Sequence, residues 1–396
     1  MGVRFLRASD IAEAADLHHR VTGETPKTPE MEAAYARWFS EAFFLDPMFE
    51  AAEGVGPLVH VNERGVIDGF LGVSARRMRA GKQTYLAALS SQFVVAPEAR
   101  SKLVALKLLR SFLCGPQDLS IADGANESSA ALWRALGGVS SHLYGTHWLR
   151  PLRPFSFAAA VGAQRGPAFA RARSLTRPVT RALDEVAIRI PGPQRPVAPA
   201  GIDAEPLSIE AFVELSPRFA ERGALMPDHD VASLRWVLSR TSAMGGGAPL
   251  ECSLLRVRGG EPVGLYVAIL PAGDLARVLH LAASQNAHDP VVRFLVHRAF
   301  QRGALSLGGR IQPPLMGAVS RALGFFHKRS SQVLLYARRP ELLAAFDRGV
   351  AIFSQLEGEW CLRFIYPETR RATHSTIRRP LDLDGAKGLT EPAASP

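Results

Sequence analysis

The stretch Phe93-Val-Val-Ala-Pro-Glu-Ala-Arg-Ser-Lys-Leu-Val-Ala105 passes from an apolar, β-rich run through a proline turn into a helical pattern whose first turn is basic. Backbone N–H groups at a helix start have no intrahelical acceptor, so such a junction attracts anions. Arg100 and Lys102 add charge that suits a pyrophosphate, although every helix start shares some of this character. Upstream, residues 57–63, 66–78 and 84–95 read as strands, with a turn at Arg64-Gly65. Downstream, 103–113 reads as a helix and 118–122 as a short strand, followed by a second helix and closing strands.

The same order of elements recurs. Tyr35-Ala-Arg-Trp38 and Leu234-Arg-Trp236 each close a helical region, and 250–258, a turn at Gly259-Gly260, 261–270 and 276–284 then repeat the strands. A helix over 289–302 and a strand over 304–308 follow. The last helices end alike, in Arg134-Ala-Leu-Gly137 and Arg321-Ala-Leu-Gly324. A tandem duplication is expected, with one domain over 1–150 and another over 201–366. Between them, 151–200 holds eight prolines and reads as a linker with short basic helices near 157–174 and 177–188. The end, 367–396, reads as a flexible tail.

The 396-residue chain is 47% apolar and carries a formal charge of +10. From Arg150 to Arg195 there are nine arginines against Asp184 and Glu185, so the linker holds most of that charge. Only Lys27, Lys82, Lys102, Lys107, Lys328 and Lys387 are lysines. Such arginine excess reads as bacterial codon bias and disfavours a nucleic-acid role. Phe155, Phe157, Phe169 and Leu175 lie among those arginines, a composition compatible with peripheral contact to anionic lipid. Cys114, Cys252 and Cys361 are far apart, which points to buried thiols in a reducing compartment and to no metal site. Charges near the N-terminus and the lack of a long apolar run make the cytoplasm the expected location.

The junction at 93–105 resembles the acyl-CoA loop of the GNAT acyltransferase superfamily, Arg/Gln-x-x-Gly-x-Gly/Ala after a strand. Here it reads Arg100-Ser101-Lys102-Leu103-Val104-Ala105, with Leu103 where the family has glycine. The second family signature, Asn-x-x-Ala/Ser-x-x-x-Tyr-x-x-x-Gly, is matched by Asn126, Ser129, Trp133 and Gly137, with Trp133 in place of the tyrosine that acts as general acid. The resemblance implies an α/β fold of two tandem GNAT-like domains, each a mostly antiparallel twisted sheet flanked by helices, the second degenerate. It implies acetyl-CoA or a longer acyl-CoA as co-substrate and a small-molecule or peptide-like amine or hydroxyl as acceptor. Phe93, Val94, Val95, Arg100, Ser101, Lys102, Leu103, Val104, Ala105, Asn126, Ser129 and Trp133 would then hold the cofactor. In the second half, Ser320 and Pro313 fall at the tyrosine and asparagine positions, and 284–290 lacks the loop pattern.

Indole is no general acid, so the acid or base must lie elsewhere. Tyr144 is the preferred replacement, with His142, Glu98, Asp123 and His147 as further candidates. His142 and Tyr144 would share one face of a closing strand and His147 the other. Glu98 is also an ordinary first-turn carboxylate, and Asp123 beside Gly124 an ordinary turn residue. No Gly-x-Ser-x-Gly, His-Glu-x-x-His or dinucleotide fingerprint occurs. Two other readings remain at this point, an aminoacyl-tRNA-dependent Fem-type transferase and a non-catalytic acyl-CoA sensor or scaffold. The sequence does not fix the oligomeric state.

Overall fold

A computed structural model describes residues 2–23, 28–48, 52–190, 195–244, 248–328 and 331–364, without the side chains of residues 100–102. Two mixed sheets organise it. The chain runs through β1 (Gly2–Phe5), α1 (Ile11–Thr22), α2 (Pro29–Phe39), β2 (Leu58–Val61), β3 (Ile67–Ala80), β4 (Gln83–Val95), α3 (Val104–Leu113), β5 (Leu119–Ala125), α4 (Glu127–Ala135), β6 (Val139–Ser141) and β7 (Thr146–Pro151). Two helices follow, α5 (Pro154–Ala163) and α6 (Pro167–Arg189). The order then recurs as β8 (Ile202–Pro206), α7 (Ile209–Leu215), β9 (Leu225–Pro227), α8 (Val231–Met244), β10 (Leu250–Val257), β11 (Pro262–Ile269), β12 (Leu275–Ala283), α9 (His288–Gln301), β13 (Ser306–Arg310), α10 (Met316–Arg321), β14 (Phe325–Lys328), β15 (Gln332–Ala337) and α11 (Pro340–Asp347).

The first sheet is ordered β1-β2-β3-β4-β5-β15-β6, with β9 beside β3, and the second β14-β7-β13-β12-β11-β10-β8. Each has one parallel contact, β4 with β5 and β12 with β13; the other pairings are antiparallel. Sequence order leads one to expect each half to close its own sheet. Instead the closing strands are exchanged. β15 sits between β5 and β6, and β7 sits between β13 and β14. A strand between two others must be apolar on both faces, and Val333-Leu334-Leu335 and Trp148-Leu149 satisfy that equally, all buried. The largest core therefore mixes both halves, with Leu334, Phe346, Phe353 and Leu362 packed among residues of the first sheet.

Residues 151–200 are less of a linker than their composition predicts. Pro154 and Pro167 occupy the first turns of α5 and α6, where proline's missing N–H costs nothing. α6 runs 23 residues and continues through Pro178. It is pinned to α5 by Asp184, whose carboxylate accepts from the amides of Phe155 and Ser156 at 2.9 and 3.1 Å. Phe157 is buried rather than available to lipid.

The helix ends also correct the sequence alignment. Gly138 N–H donates to Trp133 O at 2.8 Å and Gly324 N–H to Val319 O at 2.9 Å, each following a residue at positive φ, Gly137 or Leu323. Both are Schellman caps. Gly138, not Gly137, thus matches Gly324, and the residue corresponding to Trp133 is Val319, not Ser320.

Candidate active site

β4 and β5 run side by side only over Ala87–Ser90 and Leu119–Ala122. Beyond that they part. β4 carries a bulge opposite Leu71, with Gln92 at φ 52°, while β5 stays paired with β15 along its other edge. Bulges bend the strand that contains them, and this one opens a gap between 91–95 and 123–125. Gln92 is fixed by His18, whose Nε2 lies 2.8 Å from Oε1. Burial lowers the His18 pKa to about 4, against the opposing pull of the Gln92 contact.

Ala96 N–H donates to Asp68 O on β3 at 2.9 Å. Strand amides alternate between edges, so those of Val95 and Phe93 point the other way, into the gap. Val94 is buried. The chain then forms a 3₁₀ turn over Pro97–Lys102 and enters α3 through Leu103 at φ 58°, ψ 20°. That is the left-handed conformation glycine adopts freely. The leucine adopts that conformation and leaves its side chain 62% exposed rather than plugging the gap. Val104 is buried where a Cβ at Gly69 would strike it, which seats α3 on β3. The side chains of Arg100, Ser101 and Lys102 lie outside the described residues; Ala105 is in the first turn of α3.

Asn126, Trp133 and Tyr144 have capping or packing roles. Asn126 caps α4, its Oδ1 accepting from Ser129 N at 2.9 Å. Trp133 is fully buried against Phe112 and Gly138, so it joins α4 to α3. Tyr144 cannot act as the acid. It and His142 lie in the turn between β6 and β7, not on a strand. The Tyr144 hydroxyl donates to Ala351 O at 2.5 Å, its ring packs on Phe346, and burial raises its pKa. His142 is exposed, and His147 is buried in β7 of the other sheet beside His327. Glu98 is exposed, 3.4 Å from Arg20. Cys114 is exposed at the end of α3, contrary to the expectation of three buried thiols; all three cysteines are free.

What stands at the mouth of the gap comes from the far end of the chain. The short turn Glu359–Leu362 packs across β4 and β5. Glu359 N–H donates to Asp123 Oδ1 at 2.8 Å, and Arg310 Nη2 meets Asp123 Oδ2 at 2.6 Å in a buried pair. Arg363 Nη2 holds Glu359 Oε1 at 2.7 Å. Gly124 and Gly358 make room: a Cβ on either would strike the carboxylate of Glu359 or Asp123. Burial pushes the Glu359 carboxyl up; Arg363 opposes this and Asp123 adds to it. A buried carboxyl with a raised pKa beside a cleft is suited to taking a proton. Sequence reading reached Asp123 but missed Glu359, which has no local motif. Only the glycine beside Asp123 hinted at a close neighbour.

No family model matches the chain, and no curated protein does. Solved structures do. A GCN5-related N-acetyltransferase from Anabaena variabilis aligns with TM-score 0.53 at 12% identity, covering 85% of this chain and 73% of that one. Another from Kribbella flavida aligns with TM-score 0.51 at 13% identity, covering 85% and 71%. At such identity the likeness is one of architecture: this chain has the GCN5-related N-acetyltransferase fold.

Proposed function

We propose that the protein transfers an acyl group from acyl-CoA to an amine or hydroxyl of a small-molecule or peptide-like acceptor, in the cytoplasm, with residues 1–150 holding the donor and 201–366 shaping the acceptor side. The observation that carries this reading is the parting of β4 and β5 after Ser90 and Ala122, with the Glu359 carboxyl seated over Gly124 at the opening. The Phe93 and Val95 amides would bind the pantetheine arm and polarise the thioester carbonyl. The turn over 97–102 and the start of α3 would take the pyrophosphate.

Glu359 is the proposed base. It takes the acceptor's proton as the nitrogen or oxygen bonds to the carbonyl carbon and the C–S bond breaks, CoA leaving as thiolate. Asp123, Arg310 and Arg363 position it. The acceptor would approach over the sheet face that carries Ile121 and Asp123, which strand alternation puts on one side. The cavity there, bounded by Arg76, Leu89, Ile121, His229, Trp236 and Glu357, is about 20 Å³, room for one water, so an acceptor would have to widen it.

Calorimetry with acetyl-CoA and longer acyl-CoAs tests the donor site, and no binding at millimolar ligand overturns it. Glu359→Gln is expected to lower kcat by about 10²–10⁴-fold while acyl-CoA affinity stays within about threefold. Because the Glu359 carboxyl titrates above its ordinary range, wild-type activity should fall as pH drops through that raised value, and the variant should lose this limb. Full activity in Glu359→Gln sinks the assignment of the base. Acyl-CoA binding with no turnover on a broad panel of acceptors would assign the cleft to sensing.

A further inference from the structure

The outer face of α6 has no role in the cleft. Leu175, Val179, Leu183, Val186 and Ile190 recur at the spacing of one helix face and are each between 42% and 81% exposed. The inner face is fixed by Asp184 on α5 and by Arg173, whose Nη2 reaches Gly273 O at 3.4 Å. The apolar stripe therefore faces outward in a set orientation. Leaving such a row exposed to water is unfavourable, and monomeric proteins seldom leave one uncovered.

The charges beside it name the occupant. Arg171 and Arg189 border the stripe, and Arg177 and Arg181 lie exposed further round the helix. Against them the helix has only Asp184, turned inward, and Glu185, which pairs with Arg153 at 3.5 Å. A second copy laid on the same stripe would bring two arginine rows together. A lipid surface would not.

We infer that α6 docks the protein on an anionic bilayer, with the Leu175-to-Ile190 stripe entering the headgroup boundary and the flanking arginines reaching lipid phosphates. Arginine suits this geometry because its stem lies along the apolar boundary while the guanidinium stays in the polar layer. The helix lies on the surface. Among the described residues no helix is long and apolar enough to cross a membrane.

The test is flotation of the full chain with phosphatidylcholine vesicles containing about 30 mol% phosphatidylglycerol at about 0.05 M salt, where co-flotation is expected. Raising salt to about 0.5 M should release most of it, because the arginine contribution is screened. Leu175→Ser, Val179→Ser and Val186→Ser together should abolish flotation. These positions are exposed, so unchanged acyl-CoA binding and circular dichroism serve as the check on folding. Arg171→Glu with Arg189→Glu should weaken binding by about fivefold or more per position. Equal flotation on pure phosphatidylcholine, or a triple variant that floats like wild type, overturns the proposal. So does a salt-insensitive dimer that the triple variant converts to monomer, or RNA captured in place of lipid.

Discussion

The two halves split their parallel strand pairs in the same way and use the openings differently. In the first, β4 and β5 part after Ser90 and Ala122; in the second, β12 and β13 part after Val278 and Gly309. The second opening is stitched by the chain itself. Leu356 N–H donates to Leu279 O at 3.1 Å, Ser354 Oγ lies 3.1 Å from His280 Nδ1, and Arg310 Nη1 donates to Ser354 O at 3.3 Å. After β12 the chain enters α9 through Ala287 at φ −115°, with no left-handed residue, whereas Leu103 before α3 is left-handed. The same segment that closes the second opening goes on to place Glu359 over the first. A parallel pair that parts is thus a structural opportunity, and the segment that reaches it decides whether it becomes a cleft or a clasp.

The comparison breaks outright if acyl-CoA binds twice. One equivalent is expected by calorimetry, although Leu281, His288 and Pro313 line a remaining cavity of about 310 Å³ beyond the clasp. A second equivalent lost on substitution in that lining would show the second opening to be a cleft as well.

The join between the openings carries the next effect. Asp123 and Arg310 are buried together, and removing one partner of such a pair strands the other charge. Asp123→Ala should cost about 3–5 kcal/mol in urea unfolding. A loss under about 1 kcal/mol would mean that the two sheets are not held at this point.

His18 behind the bulge sharpens the contrast, since it is tied to the first opening through Gln92. Its pKa is lowered from 6.5 to about 4 by burial, so the unfolded chain binds more protons in that window. The sign follows: its contribution is complete above about pH 6.5 and is lost as pH falls toward 4, amounting to roughly 3 kcal/mol. His18→Gln should flatten this part of the stability profile relative to wild type. An unchanged slope between pH 6.5 and 4 would exclude His18 as its source.

Much of this was legible in the sequence because it is local. The strands at 66–78, 84–95, 250–258 and 261–270 appear within two residues at each end, since apolar runs and glycine turns are short-range signals. The junction at 93–105 was legible for the same reason. The exchange of β7 and β15 was not. Both are short, apolar and fit either central slot, and the choice is made by how the turn at 142–145 leads the chain to the other sheet. Tyr144 was misread because a strand periodicity was extended through that turn. Glu359 was invisible because its meaning depends on Asp123, which lies 236 residues away. Trp133 and Asn126 match a motif yet are explained by packing and capping, so spacing alone did not separate a binding role from a structural one.

The smallest expected effect concerns Leu103, which retains a glycine's backbone at φ 58°. Holding leucine there costs about 1 kcal/mol of strain. Leu103→Gly relieves the strain but gives the unfolded chain more freedom, so stability should move by less than about 1 kcal/mol. Acyl-CoA affinity should rise about fivefold, because the phosphates can approach a bare backbone. Leu103→Ala removes most of the bulk and keeps the strain. If the alanine variant gains as much affinity as the glycine variant, side-chain bulk is what limits the first opening. If only glycine gains, the strained backbone is the limit, and the first opening then differs from the second by a single dihedral as much as by the segment that reaches it.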